Sequence, residues 1–314
     1  MMEVIVARKQ REAEGISSLE LSQENGQPLP PFSAGAHIDV HLGNGLVRQY
    51  SLCNSAGETH RYQIAVLREP ESRGGSHYLH ETVQEGHKLT IGQPRNLFPL
   101  EPNARHSLLF AGGIGITPIL CMAERLNHAQ ASFSLYYSAR SRDRAAFVSR
   151  LSSSPFSDRV HFCFDDTQPL DASAVLARPE RDTHLYVCGP AGYMAFILEA
   201  ARANGWPEER LHREYFSASP EANAPREAFE VEIASSGEVL RVAPDQTIID
   251  VLYDAGIEVP VSCEQGVCGT CVTRVLDGVP EHRDSFLTDQ QRAMNNQFTP
   301  CCSRARTPRL VLDL

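Results

Sequence analysis

Four cysteines near the C-terminal end of the chain have the spacing of metal-cluster ligands. Cys263, Cys268 and Cys271 form the pattern C-x4-C-x2-C, and Cys301 follows after 29 intervening residues. Thiolates in this order are the ligand set of a plant-type 2Fe-2S cluster, which accepts and releases one electron at a time. The spacing therefore predicts an electron-transfer centre in this part of the chain.

The cysteine loop contains two glycines, and two adjacent cysteines are candidates for the fourth ligand. Gly266 and Gly269 lie inside the cysteine loop, where glycine lets the backbone curl and aim its amides at the sulfurs. Cys302 competes with Cys301, but the length of the gap and the Cys301-x-Ser-Arg304 context favour Cys301. On an extended chain Cys302 would also face the opposite side.

Other metal centres fit the pattern less well. Zinc also takes four cysteines, but zinc ribbons usually pair two C-x2-C hooks and this chain has one. A Rieske centre needs two histidine ligands, and no Cys-x-His pair occurs. We therefore expect an all-cysteine iron cluster of low potential.

Length, charge and cysteine usage limit the remaining choices. The chain has 314 residues, enough for two or three domains, with 42% hydrophobic and 22% charged residues. It contains no apolar run near the roughly 18 residues of a membrane span, and its N-terminus lacks a signal-peptide core. Nine cysteines, an odd number, favour reduced thiols and a cytoplasmic location. The net charge of -10 argues against nucleic-acid binding and permits docking to a basic patch on a protein partner, although simple solubility explains it equally well.

The pattern of the chain divides it into three domains and a linker. Residues 1–102 alternate short apolar runs with turns, which predicts an antiparallel β-barrel. Residues 103–218 alternate strands with helices and predict a parallel-sheet, nucleotide-binding α/β domain. Residues 219–228 are small, polar and proline-containing, as in a linker. Residues 229–314 combine a hairpin, a helix and the cysteine loop in an α+β domain.

The first predicted domain carries groups suited to a flavin. A short motif at the end of a predicted strand contains Arg48, Tyr50 and Ser51 within four positions. It supplies a guanidinium, an aromatic face and a hydroxyl. These groups suit the phosphate and ring of a flavin. The alternative is that the arginine and the tyrosine form an exposed pair that binds no cofactor, which is more common on a barrel strand.

A second motif in the same domain predicts an anion site. Arg73, Gly74, Gly75 and Ser76 open a helix whose first amides would be free to bind phosphate. The alternative is an ordinary glycine-rich helix start, which is less favoured because Arg48 and Arg73 would both serve one phosphate.

The middle domain has two candidate nucleotide-binding turns. The run from Ala111 to Pro118, Ala-Gly-Gly-Ile-Gly-Ile-Thr-Pro, joins a strand to a helix. It departs from the dinucleotide fingerprint because Pro118 stands in place of the third glycine, but its glycines still allow close approach of a cofactor. Cys188, Gly189 and Pro190 end a later strand at the carboxyl edge, where open α/β sheets bind ligands.

The order of these motifs along the chain resembles the phthalate dioxygenase reductase family. This family of Rieske-oxygenase reductases includes vanillate demethylase reductases and has a C-terminal plant-type ferredoxin domain of β-grasp fold. The resemblance implies FMN on the barrel, NADH on the middle domain, and a ferredoxin domain that reduces a separate Rieske-type oxygenase.

The same resemblance implies roles for individual residues. It places FMN against the barrel motifs, with Ser51 near the reactive edge of the flavin. The implied FMN contacts are Arg48, Tyr50, Ser51, Arg73, Gly74, Gly75 and Ser76. The implied NADH contacts are Gly113, Gly115, Thr117, Pro118, Cys188, Gly189 and Pro190. Cys188 would lie near the nicotinamide, and Phe216 would cover the flavin ring until nicotinamide displaces it.

Several alternatives remain open from the sequence. One phosphate-binding cluster favours FMN over FAD, and Arg140, Arg142 and Arg144 after the second strand of the middle domain could accept the extra phosphate of NADPH. The protein could instead supply electrons to a haem or diiron monooxygenase, or be the electron-transfer subunit of a larger flavoenzyme complex.

Overall fold

The computed structural model describes residues 1–43, 45–70, 72, 74–216 and 227–314. These residues form two compact units, Met1–Glu214 and Tyr215–Leu314. The predicted linker 219–228 lies outside the described residues except at positions 227 and 228, and the predicted domain boundaries stay predictions.

The first unit begins with a seven-stranded antiparallel sheet. Its strands are β1 (Met2–Ala13), β2 (Ile16–Ser22), β3 (Ala36–His41), β4 (Val47–Ser51), β5 (Tyr62–Leu67), β6 (Lys88–Ile91) and β7 (Arg95–Asn96). Their order is β4-β3-β6-β1-β2-β5, and β7 pairs with β3. The Cys53 amide, just beyond β4, donates to the Gln63 carbonyl of β5 at 2.8 Å. The sheet therefore curls toward a barrel, although no continuous ladder joins β4 to β5 within the described residues.

A short helix lies between β5 and β6. It begins as α1 (Gly75–His77) and continues as a π-helical turn over Tyr78–Thr82. Gly74 precedes it with φ 99°, a left-handed conformation that glycine adopts without a steric penalty. Leu79 is buried in the barrel core and anchors the helix there, which confirms the prediction that the two glycines open a helix.

A five-stranded parallel sheet completes the first unit. Its strands are β8 (His106–Gly112), β9 (Phe133–Ala139), β10 (Val160–Phe164), β11 (Thr183–Cys188) and β12 (Leu211–Glu214), in the order β10-β9-β8-β11-β12. The helices between them are α2 (Ile116–His128), α3 (Val148–Ser152), α4 (Ala172–Leu176) and α5 (Ala191–Ala203). The strand order reverses between β8 and β11, so the carboxyl ends of these two strands flank the crevice where such sheets bind ligands.

One predicted helix is shorter in the structure. The apolar pattern predicts a helix from Arg144 to Leu151, but α3 begins only at Val148. Phe147 has φ 61°, outside the helical region, and a 3-10 turn occupies 142–144. The left-handed residue breaks the backbone path that a longer helix would need.

The two sheets of the first unit share an apolar core. Ala34, Cys53 and Phe98 on the barrel side belong to the same buried cluster as Leu120 and Met122 of α2. Burial of a common apolar surface explains why these sheets form one compact unit.

The second unit is a small mixed α+β fold. Its strands are β13 (Phe229–Ile233), β14 (Val239–Val242), β15 (Thr273–Asp277), β16 (Pro280–Glu281), β17 (Gln297–Phe298), β18 (Arg304–Ala305) and β19 (Arg309–Leu312), and its helices are α6 (Ile248–Asp254) and α7 (Asp289–Ala293). The main sheet has the order β14-β13-β19-β15-β17. The Thr247 hydroxyl caps α6, and the Asp250 carboxylate accepts from the Thr247 amide. The hairpin β13–β14, the capped helix and the predicted three-part fold class are confirmed.

Candidate functional site

The four predicted ligand cysteines lie together in the second unit. Cys263, Cys268, Cys271 and Cys301 are all buried, with at most 7% of each residue exposed. Hydrogen bonds from the thiols of Cys268 and Cys301 lower the pKa of Cys263, and a hydrogen bond from Cys301 lowers the pKa of Cys271. The hydrogen bonds with Cys263 in turn raise the pKa of Cys268 and Cys301. Iron binding requires all four cysteines as thiolates.

Hydrogen bonds link the Cys263 thiol to those of Cys268 and Cys301, and the Cys301 thiol to that of Cys271. Within the described part of the chain, no three His, Cys, Asp or Glu side chains are arranged around one point that would hold a single metal ion. The donor set of four buried, hydrogen-bonded cysteines fits a 2Fe-2S cluster.

The backbone of the cysteine loop has the predicted curvature. Gly266 and Gly269 both have φ +70°, and the Gln265 amide donates to the Cys263 sulfur at 3.4 Å. The Thr270 amide donates to the Cys268 sulfur at the same distance. Amides directed at sulfur stabilise thiolate charge, as the sequence predicted.

Cys301 and Cys302 differ in their contacts, but not because they alternate along an extended chain as predicted. Both lie in a turn after β17, where the Cys302 amide donates to the Thr299 carbonyl at 3.3 Å. The alternation argument for an extended chain was therefore wrong. Hydrogen bonding links Cys301 to Cys263, Cys271 and Cys302. Among the predicted ligands Cys302 bonds only to Cys301, and its sulfur also lies 3.3 Å from the Thr299 hydroxyl.

Arg48 meets the start of α1 in the first unit. A Cβ placed on Gly75 would lie 2.8 Å from the Arg48 Cγ, so the absence of a side chain lets the arginine pack there. The Ser76 hydroxyl accepts from the Glu69 amide at 3.2 Å. Arg73 lies outside the described residues. Arg48, Gly74, Gly75 and Ser76 are thus brought together.

Tyr50 and Ser51 continue from Arg48 along β4. Tyr50 packs against the barrel core, and burial raises the pKa of its phenol. Ser51 is buried at the end of the strand, where its hydroxyl donates to Glu214 Oε2 at 3.3 Å.

Glu214 connects the barrel to the parallel sheet, and sequence reasoning missed it as a site residue. It lies opposite Cys188 in the β11–β12 register, and His37 Nδ1 lies 4.0 Å from its Oε1. Burial raises the pKa of Glu214 to about 8, against the lowering effect of the Ser51 hydroxyl. Burial and the nearby Glu214 also raise the pKa of Cys188 well above that of a free thiol. Ser51, Cys188 and Glu214 therefore form a buried polar cluster in which burial favours the uncharged forms of Cys188 and Glu214.

The glycine turns of the parallel sheet are in direct contact. A Cβ on Gly115 would lie 2.2 Å from the Cys188 carbonyl oxygen, and one on Gly189 would lie 2.9 Å from Gly112 Cα. Gly113 has φ +53° and faces open space. These glycines bring the carboxyl ends of β8 and β11 together, and the missing side chains of Gly112 and Gly189 make room for the Tyr193 ring, which would lie 2.6 Å and 3.0 Å from a Cβ at these positions.

The other predicted crevice residues differ in exposure. The Thr117 hydroxyl donates to the Ile114 carbonyl at 3.1 Å, and Pro118 is buried in the first turn of α2. Pro190 is exposed at the start of α5. Phe216 is 38% exposed and belongs to the second unit, so its predicted role over the flavin stays a prediction.

Comparison with known proteins identifies the family of the whole chain. The model of the 2Fe-2S iron-sulfur cluster binding domain matches residues 231–306. A vanillate O-demethylase oxidoreductase from Pseudomonas sp. (strain HR199 / DSM 7063) is 56% identical over 317 residues, covering 100% of both chains. The chain belongs to the vanillate O-demethylase oxidoreductase family.

Solved structures related to this oxidoreductase family share the same architecture. Phthalate dioxygenase reductase, a modular structure for electron transfer from pyridine nucleotides to [2Fe-2S], matches with a TM-score of 0.80 and 38% identity over 100% of this chain and 98% of its own. An intact type IV self-sufficient cytochrome P450 monooxygenase matches with a TM-score of 0.84 and 37% identity over 99% of this chain but 41% of its own. The resemblance expected from the motifs is confirmed.

This member of the family has no described helix with the length and apolar character needed to cross a lipid bilayer.

Proposed function

We propose that the protein is the reductase component of a Rieske-type oxygenase or demethylase system. It takes a hydride from NADH onto FMN and passes single electrons through a 2Fe-2S cluster to the partner oxygenase. A flavin supplies the conversion between two-electron and one-electron chemistry. The observation that carries this proposal is the meeting of Ser51 from the barrel with Glu214 and Cys188 at the carboxyl ends of two neighbouring parallel strands.

The residues of the barrel supply binding and orientation in this proposal. Arg48 and the amides at the start of α1 hold the FMN phosphate, and Tyr50 flanks the ring. The complete proposed FMN set is Arg48, Tyr50, Ser51, Arg73, Gly74, Gly75 and Ser76. The packing of Arg48 on Gly75 supports a shared anion site.

The crevice residues of the parallel sheet hold the nicotinamide nucleotide. Gly113, Gly115, Thr117 and Pro118 line one side of it, and the segment Cys188–Pro190 lines the other. Their contacts support this assignment, because a Cβ on Gly115 would lie 2.2 Å from the Cys188 carbonyl oxygen, so the two glycine turns bring the strand ends together. NADH is proposed over NADPH because the resemblance implies it; of the three arginines that could meet a 2′-phosphate, Arg144 is paired with Glu14 at 2.9 Å.

In the second unit, Cys263, Cys268, Cys271 and Cys301 ligate the cluster. The contacts of Cys301 with two of the other three cysteines support its choice over Cys302. Reduced thiols and the use of NADH also support a cytoplasmic location.

The partner is an oxygenase component of the kind that serves vanillate O-demethylation, as the names of the relatives suggest. A haem monooxygenase is the second candidate, because the same architecture forms part of a cytochrome P450 chain. Reconstitution with purified oxygenase components decides between them. NADH consumption coupled to vanillate demethylation is expected with the Rieske component; coupling only to a haem monooxygenase would contradict the first proposal. Release of FAD from the denatured protein would contradict the assignment of FMN.

A further inference from the structure

Three consecutive charged or titratable residues are buried in the second unit. The side chains of His282, Arg283 and Asp284 are 10%, 3% and 0% exposed. Charged groups are costly to bury unless partners compensate them. Arg283 is paired with Glu281 at 2.9 Å. Asp284 is then a buried acid to which the proposed function gives no role.

Asp284 is held as a carboxylate by several partners. Its Oδ2 accepts from the Leu287 amide at 2.7 Å and lies 3.7 Å from Arg292 Nη2. His282 Nδ1 lies 3.6 Å from its Oδ1. Burial opposes ionisation, but His282, the Leu287 amide and the Arg292 charge together lower the pKa of Asp284. Asp284 and Arg292 therefore form an ion pair with one fully buried and one partly exposed member.

Asp284 lies against the cysteine loop. The Ser285 amide, next to Asp284, donates to the Gly266 carbonyl at 2.9 Å. A Cβ on Gly266 would lie 2.8 Å from Asp284 Cα. Gly266 stands between Cys263 and Cys268, so the backbone of Asp284 contacts the segment that carries these two proposed ligands.

We propose that Asp284 and Arg292 are positioning residues that set the reduction potential of the 2Fe-2S cluster bound by the neighbouring cysteine loop. This inference rests on the proposed function. Reduction adds one electron, delivered from NADH through the flavin, to the cluster. The Asp284 carboxylate opposes that added charge and the Arg292 guanidinium favours it. Asp284 dominates because it is fully buried, whereas solvent screens the 32% exposed Arg292.

The test is a spectroelectrochemical titration of the full-length holoprotein. Asp284→Asn is expected to shift the cluster midpoint potential upward and Arg292→Gln to shift it downward, while Arg292→Lys retains the charge and stays near the wild-type value. Loosening of the loop alone would not shift the potential in opposite directions for the two neutral variants. Asp289→Asn is the matched control, because Asp289 also lies 3.7 Å from Arg292 but is 94% exposed; it should leave the potential unchanged.

The outcomes separate this inference from the proposed function. A wild-type protein without a 2Fe-2S signal contradicts the proposed function. A wild-type protein with the cluster, together with unshifted or same-direction potentials in Asp284→Asn and Arg292→Gln, contradicts the inference alone. If Asp284→Asn does not retain a cluster, an Arg292→Gln potential equal to that of Arg292→Lys overturns the inference, and a downward shift supports it.

Discussion

The Ser51 hydroxyl donates a hydrogen bond to the Glu214 carboxyl at 3.3 Å, although 163 positions separate the two residues in the chain. This bond joins the last residue of β4 to the last residue of β12, so it connects the predicted flavin domain to the predicted nucleotide domain. The strength of this bond and the protonation state of the Glu214 carboxyl matter, because both groups lie where the two cofactors are proposed to meet.

Ionisation of Glu214 is expected to weaken the first unit as pH rises. In the folded protein the pKa of Glu214 is about 8, above the usual 4.5 of a glutamate side chain, so the folded state holds a proton that the unfolded state releases. The protonated Glu214 contributes fully to the free energy of unfolding below pH 4.5, and this contribution is lost as pH rises to about 8. The free energy of unfolding falls over this range with a limiting slope of about 1.4 kcal/mol per pH unit. Glu214→Gln should flatten this dependence, because glutamine does not titrate.

Tryptophan fluorescence during denaturation measures this effect. Trp206 is the single tryptophan, lies in the first unit and is 5% exposed, so its signal reports unfolding of that unit. Glu199→Gln, on the exposed face of α5, is the control and should keep the wild-type pH dependence. An identical slope in wild type and Glu214→Gln would show that Glu214 does not titrate in this range.

Substitution of cluster ligands is expected to separate flavin reduction from electron output. Cys268→Ser and Cys301→Ser should lose the 2Fe-2S absorption and NADH-driven reduction of a one-electron acceptor fed by the cluster, because a ligand is removed. Flavin reduction by NADH should persist. Cys302→Ser is the matched control and should retain the cluster; a normal cluster in Cys301→Ser, or its loss in Cys302→Ser, would reassign the fourth ligand.

Arg48→Ala is expected to weaken FMN retention by roughly 10- to 100-fold, the loss of one charge-assisted hydrogen bond of about 1.5–3 kcal/mol. Fluorescence titration of the flavin-free protein with FMN measures the dissociation constant. Arg8→Ala, which removes a 59% exposed arginine from the same sheet, should leave it unchanged. Equal FMN affinity in Arg48→Ala and wild type removes Arg48 from the site.

Gly115→Ala is expected to destabilise the first unit by about 1–3 kcal/mol, because the new Cβ would lie 2.2 Å from the Cys188 carbonyl oxygen. The KM for NADH should rise as the strand ends separate. Gly192→Ala, which meets no atom within 4 Å in α5, should be neutral or slightly stabilising. The Trp206 signal and steady-state kinetics measure both variants, and equal stability of the two would refute the close contact.

Gly269→Ala is expected to reduce the 2Fe-2S content of the purified protein. The new Cβ would lie 2.2 Å from the Phe286 ring, and φ +70° strains any residue other than glycine. Gly237→Ala has nearly the same φ, +72°, but open space around it, so it controls for backbone strain alone. Iron analysis of both variants should show loss only in Gly269→Ala.

Local patterns predicted the elements that depend on neighbours in the chain. The capped helix α6, the β13–β14 hairpin and the glycine-opened helix α1 each follow from residues within a few positions of one another. The helix predicted from Arg144 failed because the left-handed Phe147 depends on packing around α3, which periodicity does not record.

The sequence by itself determined the cysteine loop, since Cys263, Cys268 and Cys271 are close in the chain and any fold of that loop brings them near one another. Only the tertiary structure decided that Glu214 meets Ser51, that the Cys301 thiol meets the other ligands, and that Asp284 lies against the loop. These contacts depend on strand register and on turns that pair distant segments. The physical reason is that burial of shared apolar cores sets that register, and no short stretch of sequence contains it.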